Sequence, residues 1–205
     1  PHPTRPMDEP PHAPPTGVPP DLVPVAEAGI VTLEGPPGRA LLRSAADVTF
    51  TGEEAFCELD GLAALGGKSR LHQHVRMNHA VPDCDSEQIF KSILDGEARS
   101  EFDGTIVVAE DAQQTNAHQL NKNLLLSRQA KAFSRPWLRI DADDVKCSHG
   151  ATVGQLNTDE LFYLASRGIG PEAARCLLTF GFAADLIAQL PDADLRRFLE
   201  SRVLE

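Results

Sequence analysis

Three stretches of this chain repeat one pattern: Val107-Val-Ala-Glu-Asp-Ala112, Leu125-Leu-Ser-Arg-Gln-Ala130 and Arg139-Ile-Asp-Ala-Asp-Asp-Val145. Each passes from an apolar strand end through a polar turn to a small residue suited to an interior. One short strand cannot bury its own face, whereas successive coils bury a shared aliphatic column, so this recurrence predicts stacked rungs. The fold expected is mainly β, a parallel β-helix. A β-sandwich is the competing arrangement, because it would use many of the same strands.

Around these stretches, strands are expected at Gly29–Glu34, Ala46–Thr51, Gly104–Val108, Asn123–Ser127 and Trp137–Asp141. Each is bounded by Gly, Asp, Asn or Ser and lacks helical periodicity. Small and β-branched residues suit a narrow interior, in keeping with 41% hydrophobic but only 5% aromatic residues. The segment Asp85–Leu94 reads two ways. Its N-cap candidate and the apolar positions Ile89, Phe90, Ile93 and Leu94 fit a short helix, and it also fits a strand entering the next rung.

Prolines recur through residues 1–24, which lack the donors and apolar surface to fold and are expected to form a disordered tail. Residues 25–154 are assigned to the β-helix and 155–205 to a small helical domain. There, Asn157-Thr-Asp-Glu160 is a capping signal ahead of Leu161, Phe162, Leu164 and Ala165, and Gly168 ends the helix. Gly170-Pro171 opens a second helix with Ala174, Leu177, Leu178, Phe182 and Ile187 among its apolar positions. A third, Asp192–Leu204, is expected to turn Leu195, Phe198, Leu199 and Val203 inward.

The 205 residues carry a net charge of -11, from 30 acidic and 19 basic side chains, which disfavours nucleic acid or an anionic membrane as partner. There is neither an apolar run of about 18 residues nor a signal-peptide pattern at the start, so a soluble cytoplasmic protein is expected. An organelle stroma or matrix is the alternative if a transit peptide had been removed. The four cysteines, Cys57, Cys84, Cys147 and Cys176, are widely spaced and read as free thiols in a reducing compartment.

The densest polar constellation is Asp143-Asp-Val-Lys-Cys-Ser-His-Gly-Ala-Thr152. Cys147 and His149 are two apart and face the same side of a strand. A thiolate and an imidazole can hold iron or zinc, or the imidazole can lower the thiol pKa. Two ligands do not complete a metal site, so another chain would have to supply the rest; otherwise the pair is a buried cysteine beside a surface histidine. His72 and His74, with His79, Asp83 or Glu87 as third ligand, form the alternative, a small metal-dependent enzyme. No phosphate loop or nucleophile elbow is present, and no self-contained active site, so the chain is not expected to be an enzyme by itself.

The run Asp143-Asp-Val-Lys-Cys-Ser-His-Gly-Ala-Thr-Val-Gly154, followed by Asp159-Glu-Leu-Phe-Tyr-Leu-Ala-Ser-Arg-Gly-Ile169, closely resembles the SufD branch of the SufB/SufD family of iron–sulfur cluster assembly. Val75-Arg-Met-Asn-His-Ala-Val-Pro82, Ile93-Leu-Asp-Gly-Glu-Ala-Arg99, Phe102-Asp-Gly104 and Gln114–Ser127 are also similar. The likeness runs from around Val48 to near the end. SufB carries a cysteine-containing segment where this chain has Asn121–Ser127, and an acidic one where it has Lys146–His149, so the likeness is to SufD.

The resemblance implies a right-handed parallel β-helix followed by a helical domain. It implies pairing with SufB through the β-helices, docking of the SufC ATPase on the helical domain, and a transient iron–sulfur cluster shared with the partner subunit. Cys147 and His149 match interface residues proposed to take part in cluster formation, and Phe162, Tyr163, Arg167, Gly168 and Ile169 match the SufC-docking part. Family members carry an N-terminal helical region and more rungs where this chain has its prolines, so it reads as a shortened form, with a truncated SufC-binding decoy that has no cluster role as a further alternative.

Overall fold

Side chains alternate along Arg70–His79: Leu71, Gln73, Val75, Met77 and His79 are buried, while Arg70, His74 and Arg76 are exposed. Such a strand buries one face, and it needs neighbours in the same register to cover its backbone. The computed structural model describes residues 40–204, with side chains as far as Ser201. The strands are β1 (Leu41–Phe50), β2 (Phe56–Leu65), β3 (Arg70–His79), β4 (Asp85–Leu94), β5 (Arg99–Val108), β6 (Asn116–Leu125), β7 (Lys131–Ile140) and β8 (Lys146–Gln155). The helices are α1 (Thr158–Ser166), α2 (Pro171–Gln189) and α3 (Ala193–Leu204).

Odd strands form one sheet, in the order β1-β3-β5-β7, and even strands a second, β2-β4-β6-β8. Every pairing is parallel: Leu41 faces Arg70, Arg70 faces Arg99 and Arg99 faces Lys131, so one coil takes about thirty residues. Among the described residues this is a parallel β-helix of four coils. The sandwich alternative is excluded, since sandwiches are built from antiparallel sheets.

The corners stack as well as the strands. Glu54, Asp83 and Gln114 all have positive φ, at 56°, 57° and 60°, and mark the same bend in successive coils. Just beyond them Ala55, Cys84 and Thr115 each accept a backbone hydrogen bond from the coil above, at 2.9, 3.1 and 2.8 Å. Along this side the interior is aliphatic: Phe50, Met77, Cys84, Ile106, Val108, Ala112, Ala117 and Ala142 form its core. Each fully buried Ile or Val there contributes roughly 1.5–3 kcal/mol. The small residues of the repeated turns, Ala112, Ala130 and Ala142, are all buried.

Asn157 caps α1 by accepting from the Asp159 N–H at 2.9 Å, and Gly168, at φ 82°, carries the chain out of it. Helix α2 begins at Pro171 and lies against the outer face of the even sheet, where Ala183 and Ile187 pack on Ile93. Lys91, only 5% exposed, projects from β4 to Asp185 at 2.5 Å and to the Phe182 carbonyl at 2.9 Å.

Several expectations need correction or fall outside the described residues. Asp85–Leu94 is strand β4 and not a helix, because its alternate residues fill the interior. In α1, Leu161 and Leu164 are half-buried, but Phe162 and Ala165 are exposed, since a 100° step per residue turns them to a separate stripe. Leu177 and Phe198 are 50% and 39% exposed. The tail at 1–24, the strand at Gly29–Glu34 and the Val203 side chain lie outside what the structure describes.

Candidate functional site

The last coil, β7 and β8, carries the sequence-predicted pair. Cys147 lies in register with Ala117 and His149 with Gln119, both of which are buried interior residues, so Cys147 and His149 face inward together. Their two-residue spacing on a strand makes this inevitable. They sit at an opening, because β7 and β8 end their sheets and, among the described residues, no strand pairs with their outer edges. Cys147 is half-buried against the aliphatic core, whereas His149, Ala151 and Val153 on the same inward row are exposed.

Burial pushes the Cys147 thiol above the ordinary cysteine range, with a backbone hydrogen bond at Ala117 working weakly against it. The neighbouring imidazole does not lower it, so in the chain alone Cys147 is a thiol at neutral pH. The same inward column runs back through Ala117 and Ser86 to Cys57. At about 4.8 Å per strand, Cys57 lies roughly 14 Å away, too far for a disulfide.

A free sheet edge offers unpaired N–H and C=O groups to another strand. Pro136 withholds one donor from β7, while β8 from Lys146 to Gln155 contains no proline. Beside the opening, Phe133 and Trp137 of β7 are 50% and 62% exposed. On the outer face of the even sheet, His118 and Ser148 share a 2.6 Å hydrogen bond within an open groove of about 330 Å3 also lined by Glu87, Ile89, Leu120 and Gly150.

The other sequence candidates are placed differently. His72 and His74 face outward from β3, but His79 faces inward, stacked on Phe50 with ring centroids 4.5 Å apart and bonded to Ser86 at 2.9 Å. The three therefore do not form one cluster, and His72 is instead paired with Asp103 at 2.8 Å. The hydrogen bond from Arg135 is the main reason that the Asp103 carboxyl is held below its usual range. Among the described residues no group of three or more His, Cys, Asp or Glu side chains is arranged to hold a metal ion.

On the helical part, Phe162 is 77% and Tyr163 56% exposed, and the Arg167 guanidinium lies 5.2 Å from the Tyr163 ring centroid. Gly168 makes the turn that follows, and Ile169 is half-buried. Lys91 was missed by sequence reasoning, although a lone lysine within the apolar run Ile89-Phe-Lys-Ser-Ile-Leu94 is a usable signal of a buried ion pair. No helix among the described residues is long and apolar enough to cross a membrane.

Comparison with known proteins places this geometry in context. The SufBD core domain of the SUF system of iron–sulfur cluster assembly matches residues 25–182. A SufBD family iron–sulfur cluster assembly protein of Synechocystis is 42% identical over 161 residues, 78% of this chain and 35% of that protein. The iron–sulfur cluster assembly protein SufD of Escherichia coli is 36% identical over 166 residues, 81% of this chain and 39% of that protein. A chloroplastic protein of Arabidopsis thaliana is 36% identical over 172 residues, covering 83% and 36% respectively. The chain thus spans less than half the length of these relatives.

Proposed function

This chain belongs to the SufBD core family of iron–sulfur cluster assembly, and from that premise we propose that it acts as a SufD-type scaffold without turnover of its own. In this reading the open coil receives the β-helix of a SufB partner, and Cys147 and His149 contribute to a nascent cluster shared between the two. The cluster is cargo that leaves once assembled. The helical part docks a SufC ATPase through the surface around Phe162, Tyr163, Arg167, Gly168 and Ile169.

The observation that carries the reading is the position of Cys147 and His149 on the inward row of a terminal strand with a free edge. A partner strand added to β8 would continue the row and bring its own side chains within reach of both. Two donors of this chain plus donors from a second chain meet the coordination number that two alone do not. Cys147 must lose its proton to bind iron, and a nearby cation would draw it off despite the burial that now holds it on.

The reading is tested by co-purifying the chain with SufB and SufC and measuring iron and acid-labile sulfide anaerobically. Wild type is expected to hold cluster in the ternary complex, and the Cys147→Ser/His149→Ala double variant to assemble but lose it. Failure to bind either partner would overturn the scaffold role. Undiminished cluster in the double variant would overturn the part given to Cys147 and His149.

A further inference from the structure

Two residues along the strands from the row of Ala117 and Cys147, the interior changes from aliphatic to polar. Gln88 of β4, Gln119 of β6 and His149 of β8 occupy a single inward row, each in register with the next. Gln88 is 0% and Gln119 2% exposed. The Gln119 Nε2 donates to the Gln88 Oε1 at 3.0 Å, and the Gln88 Nε2 is itself buried without a hydrogen-bond partner. The Gln119 Oε1 is the other end of that amide, and it is buried with no hydrogen-bond partner.

Buried acceptors are rarely left unpaired, and an exception calls for a reason. The surroundings of this one are shaped to keep it in place. A Cβ at Gly104, on β5 across the interior, would lie 2.2 Å from Gln119 Oε1 and 2.5 Å from the Phe102 ring. The Gly104 backbone is outside the left-handed region, so its conformation does not demand glycine, whereas the space taken by the Gln119 amide does.

An imidazole that presents one nitrogen to a metal nearly always donates its other N–H to an acceptor, which selects the tautomer and holds the ring plane. His149 stands one strand above Gln119, about 4.8 Å away along the row, within reach of both side chains. We propose that Gln119 is the positioning residue for His149. Its Oε1 accepts a ring N–H of His149 when the ring turns inward, and the second ring nitrogen is left with its lone pair toward the opening. Gln88 takes up the amide nitrogen, and Gly104 keeps the space clear for the oxygen.

This inference deepens the reading of His149 as an assembly-site residue and rests on it for its purpose, but its test does not. The full chain is labelled with ¹⁵N at histidine, and the His149 signals are identified among those of the seven histidines with the His149→Gln variant. The tautomer ratio is then read at a pH where the ring is neutral. In Gln119→Leu, which replaces the amide with an apolar group of similar shape, the ratio should shift about fivefold toward that of a solvated imidazole, the worth of one net hydrogen bond. Gly104→Ala should move it the same way by displacing the amide, and Gln119→Glu, which keeps an acceptor oxygen, should restore it.

Gln73→Leu is the control, since Gln73 is also buried with an unpaired Oε1 but lies on the other sheet. An unchanged ratio in Gln119→Leu, or an equal shift in Gln73→Leu, overturns the inference. Cluster retained by a His149→Ala complex, with the tautomer still responding to Gln119, would sink the assembly role of His149 and leave the contact standing.

Discussion

The ammonium of Lys91 and the carboxylate of Asp185 meet at 2.5 Å where α2 crosses the even sheet, and the two partners differ sharply in burial: the side chains are 5% and 57% exposed. Burial alone would raise the Asp185 carboxyl, but the hydrogen bond and charge of Lys91 outweigh it and hold the group below its usual range. The asymmetry predicts unequal variants. Asp185→Ala strands a buried ammonium and should cost about 3 kcal/mol, whereas Lys91→Met leaves a carboxylate that water can reach and should cost about 1 kcal/mol. Chemical denaturation of the two variants checks the order, and equal losses would contradict it.

Phe162 supports a prediction of the opposite kind. With 77% of its surface exposed, Phe162→Ala removes almost no intramolecular packing, so stability should stay within about 0.5 kcal/mol of wild type. On the docking surface proposed above, loss of this aromatic anchor should nonetheless weaken SufC binding by about tenfold or more. Calorimetric titration beside a melting curve separates the two. A large drop in melting temperature with unchanged binding would make Phe162 a structural residue.

His79 should make stability depend on pH. Burial lowers its pKa to about 4, from an ordinary value of 6.5. Between those values the unfolded chain takes up a proton that the folded chain refuses, so stability falls as pH drops from 6.5 toward 4, by up to about 1.4 kcal/mol per pH unit. Above 6.5 this group has no effect. His79→Phe, which keeps the stacking on Phe50, should flatten the profile over that window, and an unchanged slope would rule out His79 as its source.

Cys147 should react sluggishly when the chain is alone. Because burial holds its thiol above the ordinary range, alkylation by iodoacetamide should be slower than for a free cysteine at neutral pH. Its rate should still be climbing where an ordinary thiol has levelled off. Site-resolved mass spectrometry follows the residue directly. Fast alkylation at neutral pH would show an activated thiolate and would point to a direct influence of His149.

The strands that sequence reasoning missed, left open or caught only in part include three with a common feature. In β3, β4 and β6 the interior rows carry Gln73, Gln88, Gln119, Asn121 and Asn123. Polar residues on both faces erase the apolar alternation by which a strand is recognised, and in Asp85–Leu94 the outward Lys91 and Ile93 are themselves covered by α2. The interior tolerates these amides because they bond to one another and to neighbouring strands, as Gln119 does to Gln88 and as Asn121 does to the Phe90 carbonyl at 3.3 Å. The same rows explain why the fully aliphatic half of the interior, around Ile106, Val108 and Ala112, was the readable half.

Sequence by itself determined that short strands are followed by helices and favoured a stack of coils, since repeated turns and helix caps are local signals carried by neighbouring residues, while the parallel pairing that excludes a sandwich belongs to the tertiary structure. It also determined that Cys147 and His149 share a face, because a two-residue spacing on any strand requires it. Tertiary structure alone decided which face that is. Whether a row points into the coil or out to solvent depends on register between strands some thirty residues apart, and that register is set by the corners at Glu54, Asp83 and Gln114 and by packing across the interior. It therefore also decided that His79 parts from His72 and His74, that Lys91 is buried under α2, and that His149 stands one strand above Gln119, whose Oε1 has no partner.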